Sequence, residues 1–388
     1  MISINEALKS IDNQKIILKK ISMDLDKSFG FALAEEIKSP FDLPSFDNSA
    51  MDGYALCGES DEYKIVGIIP TGETAQFQLK PGQAARIFTG AKIPENTFAV
   101  LMQEKAEING DFLKPIEKIR KGLHIRLRGS ELEKGQLVFS PGHQISPASI
   151  GLIGSLGLDK VQVYGKPNIS VMTSGDELIS PGDERQEGQI YESNSLALGS
   201  ALESAGFSLQ RKEQVPDDFE KIKSSISDLL KDSDLLILSG GISVGDFDFV
   251  KDALEANGVV EIFYKVFQKP GKPLFFGKRD DKFVFALPGN PASSLTCFYI
   301  YVLPLLQRMS GFDDLGLPQI KATLAHDYHL KGDRPSFLKA SLKNNEVRIL
   351  DGQGSSMIHS MANSNALVFI EFPKEFEKGE LVTCILLA

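Results

Sequence analysis

Between residues 166 and 315, short apolar runs alternate with stretches of helical spacing. Runs at 169–172, 208–215, 235–238, 262–267 and 283–287 read as strands, while helical patterns open at 249–254 and fill 292–309. Such alternation predicts a doubly wound α/β domain built on a parallel sheet. The flanks follow other rules. Residues 3–11 have amphipathic helical spacing, with Ser3 and Glu6 placed as a capping box. Residues 63–138 are rich in short strand patterns, with turns at Pro81-Gly82 and Asn109-Gly110. Past residue 316, short strands are divided by Gly332-Asp333, Asn344-Asn345 and Asp351-Gly352, as in a small barrel or sandwich. The expected fold class is therefore α/β plus all-β, multidomain, with divisions near 1–165, 166–315 and 316–388.

In a parallel sheet the carboxyl ends of all strands share one edge, and ligands bind there. The loops expected at that edge carry the chemistry of this chain. They hold Glu177 after the first strand, Asp217 after the second and Ser239-Gly240-Gly241-Ile242-Ser243-Val244-Gly245 after the third, with Asp248 just beyond. Lys269-Pro270-Gly271-Lys272-Pro273 and Pro288-Gly289-Asn290-Pro291 follow the last two. Glycines let backbone N–H groups approach an anion closely, and a following helix start adds a favourable dipole. Carboxylates beside a phosphate cradle become useful once a divalent cation bridges the two.

Each motif has a plainer alternative. The glycine turn has the spacing of a P-loop, yet Asp246 stands where the phosphate-binding lysine belongs. Gly241-Ile242-Ser243-Val244-Gly245 is formally a nucleophile elbow, with His326, His329 and His359 downstream as bases, and this leaves a serine hydrolase using Ser243 as an alternative. The lysine turn suits an oxyanion, but a solvated turn has the same composition. Acids at loop ends are commonly solvated or capping groups; their recurrence at successive strand ends is what favours a site. His326 and His329 would point to opposite faces of a strand, which disfavours a metal pair.

Composition narrows the function classes. The 388 residues are 42% apolar and 24% charged, ordinary globular values, and suffice for about two to four domains. No run approaches the roughly 20 apolar residues of a spanning helix, and the first 20 residues lack the pattern of a secretory leader, so a cytoplasmic protein is expected. Cys57, Cys297 and Cys384 are too scattered for a disulfide framework or a thiolate metal site. A net charge of −10 argues against non-specific nucleic-acid binding, so an anionic ligand must find local positive charge.

Seven motifs in order carry a resemblance. They are Asp47-Asn48-Ser49-Ala50-Met51-Asp52-Gly53-Tyr54, Arg86-Ile87-Phe88-Thr89-Gly90-Ala91, Thr173-Ser174-Gly175-Asp176-Glu177-Leu178, Gly188-Gln189-Ile190-Tyr191, the glycine turn, the lysine turn and Leu287-Pro288-Gly289-Asn290-Pro291. Together the chain resembles the molybdopterin molybdenumtransferases, the bacterial MoeA family related to the E domain of gephyrin. The resemblance implies an elongated homodimer. Each subunit would have a split N-terminal region (a linker-type domain at about 21–40 and 130–165 with a β-rich domain inserted at about 41–129), a molybdopterin-binding α/β domain and a C-terminal β-barrel. It also implies the last step of molybdenum cofactor synthesis: Mg2+-dependent insertion of molybdate into adenylylated molybdopterin, with release of AMP. An upstream molybdopterin adenylyltransferase and downstream molybdoenzymes are implied partners. A gephyrin-like scaffold that binds the pterin without turnover is the alternative in another class.

Carried across by motif, Asp52 and Thr89 would enter the crevice from the partner subunit. Glu177, Asp217 and Asp248 would form its acidic, metal-holding wall; Lys265, Lys269 and Lys272 would hold anionic groups; and Ser355 would come from the barrel. Ser239, Gly240, Gly241, Ser243, Gly245, Pro288, Gly289 and Asn290 would contact substrate. One departure is Arg128-Gly129-Ser130-Glu131, where the family usually reads Arg-Gly-Glu-Asp.

Overall fold

The computed structural model describes every residue except 74, 243–248, 373 and 388. The chain divides into two compact units, one formed by 1–34, 142–146 and 160–388, the other by 35–141 and 147–159.

The first unit is organised by a six-stranded sheet. In chain order its elements are β1 (Ile169–Ser174), α1 (Asn194–Ser204), β2 (Leu209–Val215), α2 (Phe219–Asp232), β3 (Leu235–Ser239), α3 (Val250–Ala256), β4 (Val260–Tyr264), β5 (Phe275–Arg279), β6 (Lys282–Leu287) and α4 (Pro291–Cys297). The strand order is β2-β1-β3-β6-β5-β4. The β2, β1, β3 and β6 strands are parallel, in register from Ile169 opposite Leu235 to Ser239 opposite Leu287. Alternate side chains along the strands serve opposite faces, as a pleated strand requires. Ile169, Val171, Leu235, Ile237, Phe283 and Phe285 pack with Leu198 and Leu202 of α1 and with Ala292 and Cys297 of α4. On the other face Met172, Leu236, Leu238, Val284 and Ala286 meet Ile222, Ile226 and Leu229 of α2 and Val250 and Leu254 of α3.

The sheet departs from the all-parallel expectation. Residues 262–267 do not continue as a strand, because β4 ends at Tyr264 and Lys265 turns the backbone to a φ of +65°. After the lysine turn the chain forms β5, which the sequence pattern hid behind Pro273 and Gly277. A two-residue hairpin at Asp280-Asp281, with Asp280 at φ +58°, returns it as β6, so β5 is antiparallel to both neighbours. Two reversals leave β4 pointing the same way as β6, and its end stays at the common edge.

The apolar pattern at 292–309 is also interrupted: α4 gives way to a π-helical segment, Phe298–Val302, before helix resumes at Leu303–Met309. Pro304, in the following turn, has no N–H to continue an α-helical ladder.

The N-terminal helix Ile4–Asp12 forms the capping box at Ser3 and Glu6 and packs Ile4, Ala7 and Ile11 into the α/β core. The tail closes a five-stranded barrel from Gln319–Leu324, Glu346–Ile349, Ser336–Lys343, Ala366–Ile370 and Leu381–Leu386. The second unit is built on another six-stranded sheet, in which Gly53–Leu56 lies between Gln83–Ile87 and Ala99–Met102. Among the described residues no helix is long and apolar enough to cross a membrane.

Candidate active-site cleft

The parallel register sets Ser174, Val215, Ser239 and Leu287 side by side at the carboxyl edge of the sheet. The loops beyond them enclose a cleft of about 670 Å3. Glu177, Asp217, Ser239, Gly240, Gly241, Pro288, Gly289 and Asn290, each singled out from sequence, line it. Gly240 has φ +104°, and a Cβ there would stand 2.7 Å from the Ser174 carbonyl oxygen. A Cβ on Gly241 would meet Val250 Cγ2 at 2.7 Å, so glycine is what lets this turn press against β1 and α3. Ser243, Gly245 and Asp248 lie outside the described residues.

Asp217 is the most perturbed acid of the cleft. Burial pushes its carboxyl pKa up, and repulsion from Asp176 and Glu177 adds to the rise. The Ser174 hydroxyl offsets part of this without meeting the geometry of a formed hydrogen bond, and both Asp217 Oδ1 and Ser174 Oγ are buried without a partner among the described residues. The Asp217 N–H donates to Asp176 Oδ1 at 3.1 Å, which fixes the loop. Among the described residues no three acids, histidines or cysteines are grouped to hold a metal. Even so, an unpartnered carboxylate oxygen beside a second carboxylate, Glu177, is the all-oxygen donor chemistry that a hard divalent cation takes.

Sequence reasoning missed Asn194. An asparagine at a helix start reads as a cap, but here Asn194 is already inside α1 and its side chain ties the edge together. Its Nδ2 donates to Ser239 Oγ at 2.9 Å and to the Gly289 carbonyl at 2.7 Å, while Oδ1 is left buried and unpartnered at the cleft wall. The buried Glu192 takes over the helix start, accepting from the Ser195 N–H at 2.8 Å and from the Ser195 hydroxyl.

The lysine turn lies beside the cleft. Lys269 and Lys272 line a smaller cavity of about 220 Å3, together with Arg334 and Ser355. Pro273, Pro288 and Asn290 border both cavities. Asn290 Nδ2 donates to Ser355 Oγ at 3.1 Å, joining the barrel loop to the sheet edge, and Ser356 of the same loop reaches the larger cleft. That loop is held from below by Lys339, only 3% exposed, whose ammonium donates to the carbonyls of Gly354 at 2.9 Å and Met357 at 3.3 Å. Burial holds the Lys339 pKa below its usual value. Neither Arg334 nor Lys339 was legible, since Arg334 follows the Gly332-Asp333 turn as an ordinary loop charge and Lys339 sits in an unremarkable strand pattern. Lys265 lines neither cavity; its ammonium lies 4.6 Å from the ring centre of Tyr264, whose hydroxyl donates to the Ile242 carbonyl at 2.8 Å.

In the second unit, Gly53 pairs with Ile87, which brings Asp52 and Thr89 together across 37 positions. Asp52 Oδ1 accepts from the Thr89 N–H and hydroxyl, each at 2.7 Å, and these bonds hold its carboxyl pKa below the usual range. Arg86 stacks nearby, 5.2 Å from the Tyr54 ring and 5.1 Å from that of Phe88. In the segment containing Glu131, Arg128 binds Asp42 at 2.6 Å through Nε, and its N–H reaches Asp47 Oδ1 at 2.7 Å.

Fold and cleft define a multidomain α/β protein with a polar ligand cleft at the carboxyl edge of its sheet, an adjoining cationic cavity and a closing barrel. Family models match almost end to end: the MoeA N-terminal region (domain I and II) over 2–157, a probable molybdopterin binding domain over 170–308, and the MoeA C-terminal region (domain IV) over 321–387. A Haemophilus influenzae protein named molybdopterin molybdenumtransferase is 35% identical over 373 residues, 93% of this chain and 92% of its own. A Staphylococcus epidermidis protein of the same name is 31% identical over 400 residues, 99% and 95% of the two chains. The crystal structure of the molybdopterin biosynthesis MoeA protein from Pyrococcus horikoshii superposes with a TM-score of 0.86 at 28% identity, covering all of both chains. The chain belongs to the MoeA family of molybdopterin molybdenumtransferases.

Proposed function

We propose that this protein carries out the final step of molybdenum cofactor synthesis, inserting molybdate into adenylylated molybdopterin with release of AMP. The observation that carries the reading is the convergence, on one sheet edge, of a glycine turn, a half-buried acid with a raised pKa, and a cavity bearing two lysines. The pterin-side phosphate lies against the Gly240-Gly241 backbone, and Asn194 and Asn290 hold the cleft walls around the substrate. Molybdate occupies the Lys269 and Lys272 cavity, where ammonium groups act as point charges for a tetrahedral oxyanion. Asp217 Oδ1 takes the proton of a water directed at the phosphoanhydride, a role suited to a carboxylate whose pKa has been raised toward the working pH. Mg2+, when held by Glu177 and Asp248 with Asp217 left free to accept the proton, would supply charge neutralisation at the phosphates.

The reading extends to a cytoplasmic homodimer in which Asp52 and Thr89 of one subunit complete the cleft of the other, together with Lys265 and Ser243 as further contacts. A gephyrin-like scaffold and a serine hydrolase based on Ser243 are both disfavoured by kinship to relatives named as transferases. The test is a purified assay with adenylylated molybdopterin and molybdate. AMP release that Asp217→Asn abolishes supports the reading; binding of the pterin without AMP release favours the scaffold.

A further inference from the structure

Beneath the lysine turn lies a polar cluster that the proposed chemistry does not use. Gln268, Cys297 and Tyr301 are each 0% exposed. The Tyr301 hydroxyl donates to Gln268 Oε1, which leaves the amide nitrogen only one orientation. From there Nε2 donates to the Gly271 carbonyl at 3.1 Å and approaches Cys297 Sγ at 3.6 Å. Tyr301 belongs to the π-helical segment and Cys297 to the end of α4, so Gln268 joins helix to turn, and Cys297 Sγ adds a direct contact to the Gly271 carbonyl at 3.8 Å.

Gly271 lies between the two lysines and directly precedes Lys272. Its φ is +86°, and the turn sits so close to the cluster that a Cβ there would meet Cys297 Sγ at 2.4 Å and Gln268 Nε2 at 2.9 Å. The rest of the turn is pinned by its neighbours: the Lys269 N–H donates to the Pro335 carbonyl at 2.9 Å, the Phe337 N–H to the Lys269 carbonyl at 2.8 Å, and the Val266 N–H to the Lys272 carbonyl at 3.0 Å. The Gly271 carbonyl relies on side chains, accepting from Gln268 Nε2 and more distantly from Cys297 Sγ at 3.8 Å, and rotating it away would strand Nε2 in a dry interior.

We propose that Tyr301 and Gln268 are positioning residues for the oxyanion cavity: they lock the Gly271 peptide and thereby set the spacing of Lys269 and Lys272. The inference rests on the molybdate reading of that cavity, which Gln268 borders from below and Tyr301 does not reach. Molybdate binding, followed by calorimetry and so independent of turnover, tests it together with the molybdate dependence of AMP release. Tyr301→Phe keeps the ring and frees the amide, and should weaken molybdate binding about tenfold while kcat at saturating molybdate changes by less than about twofold. The double variant Tyr301→Phe with Gln268→Met removes hydroxyl and amide together and leaves the Gly271 carbonyl to Cys297 Sγ alone, so its melting temperature should recover only in part while molybdate binding stays weak. Recovery of binding along with stability, or parent-like binding in Tyr301→Phe, overturns the proposal. Lys269→Ala separates the two levels. If it leaves molybdate binding unchanged, the cavity reading fails. If it weakens binding while the Tyr301 and Gln268 variants do not, that reading stands and the positioning role falls.

Discussion

Asp217→Asn should make the protein more stable and inactive at once. In the folded state burial and two neighbouring acids raise the Asp217 pKa above its ordinary 3.8. The native state therefore binds that proton more tightly than the unfolded chain does. The stability contribution is greatest below 3.8, declines as pH rises through the raised value, and stays reduced at neutral pH. Every tenfold difference in proton affinity between the folded and unfolded chain corresponds to about 1.4 kcal/mol. Because Asp217 is only partly buried, solvent screening keeps the gain small on replacing it by the neutral amide. AMP release should fall by at least about 100-fold, the contribution typical of a positioned proton acceptor. The assay pairs thermal melting across pH 3 to 8 with turnover at neutral pH. The variant should melt higher than the parent at pH 7, and the difference should shrink toward zero near pH 3. A variant that melts lower at pH 7, or retains turnover, refutes the assignment of a strained, working acid.

Other expectations follow from the same geometry. Asn194→Ala removes two donors that tie Ser239 to Gly289, and should raise the half-saturating concentration of adenylylated molybdopterin about fivefold to tenfold; a parent-like value would reduce Asn194 to packing. Gly240→Ala forces a Cβ to within 2.7 Å of the Ser174 carbonyl at φ +104°, and should cost about 2 kcal/mol in denaturant unfolding with loss of turnover. If subunits share sites, equal mixing and reassembly of inactive Asp52→Ala and Asp217→Asn proteins should restore about one quarter of parent activity through mixed dimers. No recovery would place Asp52 outside a shared cleft.

What the sequence disclosed was the sheet edge. Apolar runs that stop at glycine, proline or acid mark both a strand end and the loop beyond it, which is why Glu177, Asp217 and the Gly240-Gly241 turn were legible in the chain alone. Hidden features had another origin. The β5 strand is preceded by proline and carries Gly277, so its composition reads as a turn until the hairpin at Asp280-Asp281 is seen to pair it. Asn194, Arg334 and Lys339 matter through the partners that folding supplies, and nothing local distinguishes them from a helix cap, a loop charge and a strand charge. The helix carrying Tyr301 looked continuous because apolar periodicity does not register a π-helical turn.

The most direct measurement is the stoichiometry of a single turnover. Purified protein is supplied with adenylylated molybdopterin, molybdate and Mg2+, and AMP and pterin-bound molybdenum are quantified together. One AMP released per molybdenum inserted, with neither formed when molybdate or Mg2+ is withheld, is the predicted result. Molybdenum-free AMP release at the same rate, or tight pterin binding with no AMP at all, would contradict the account.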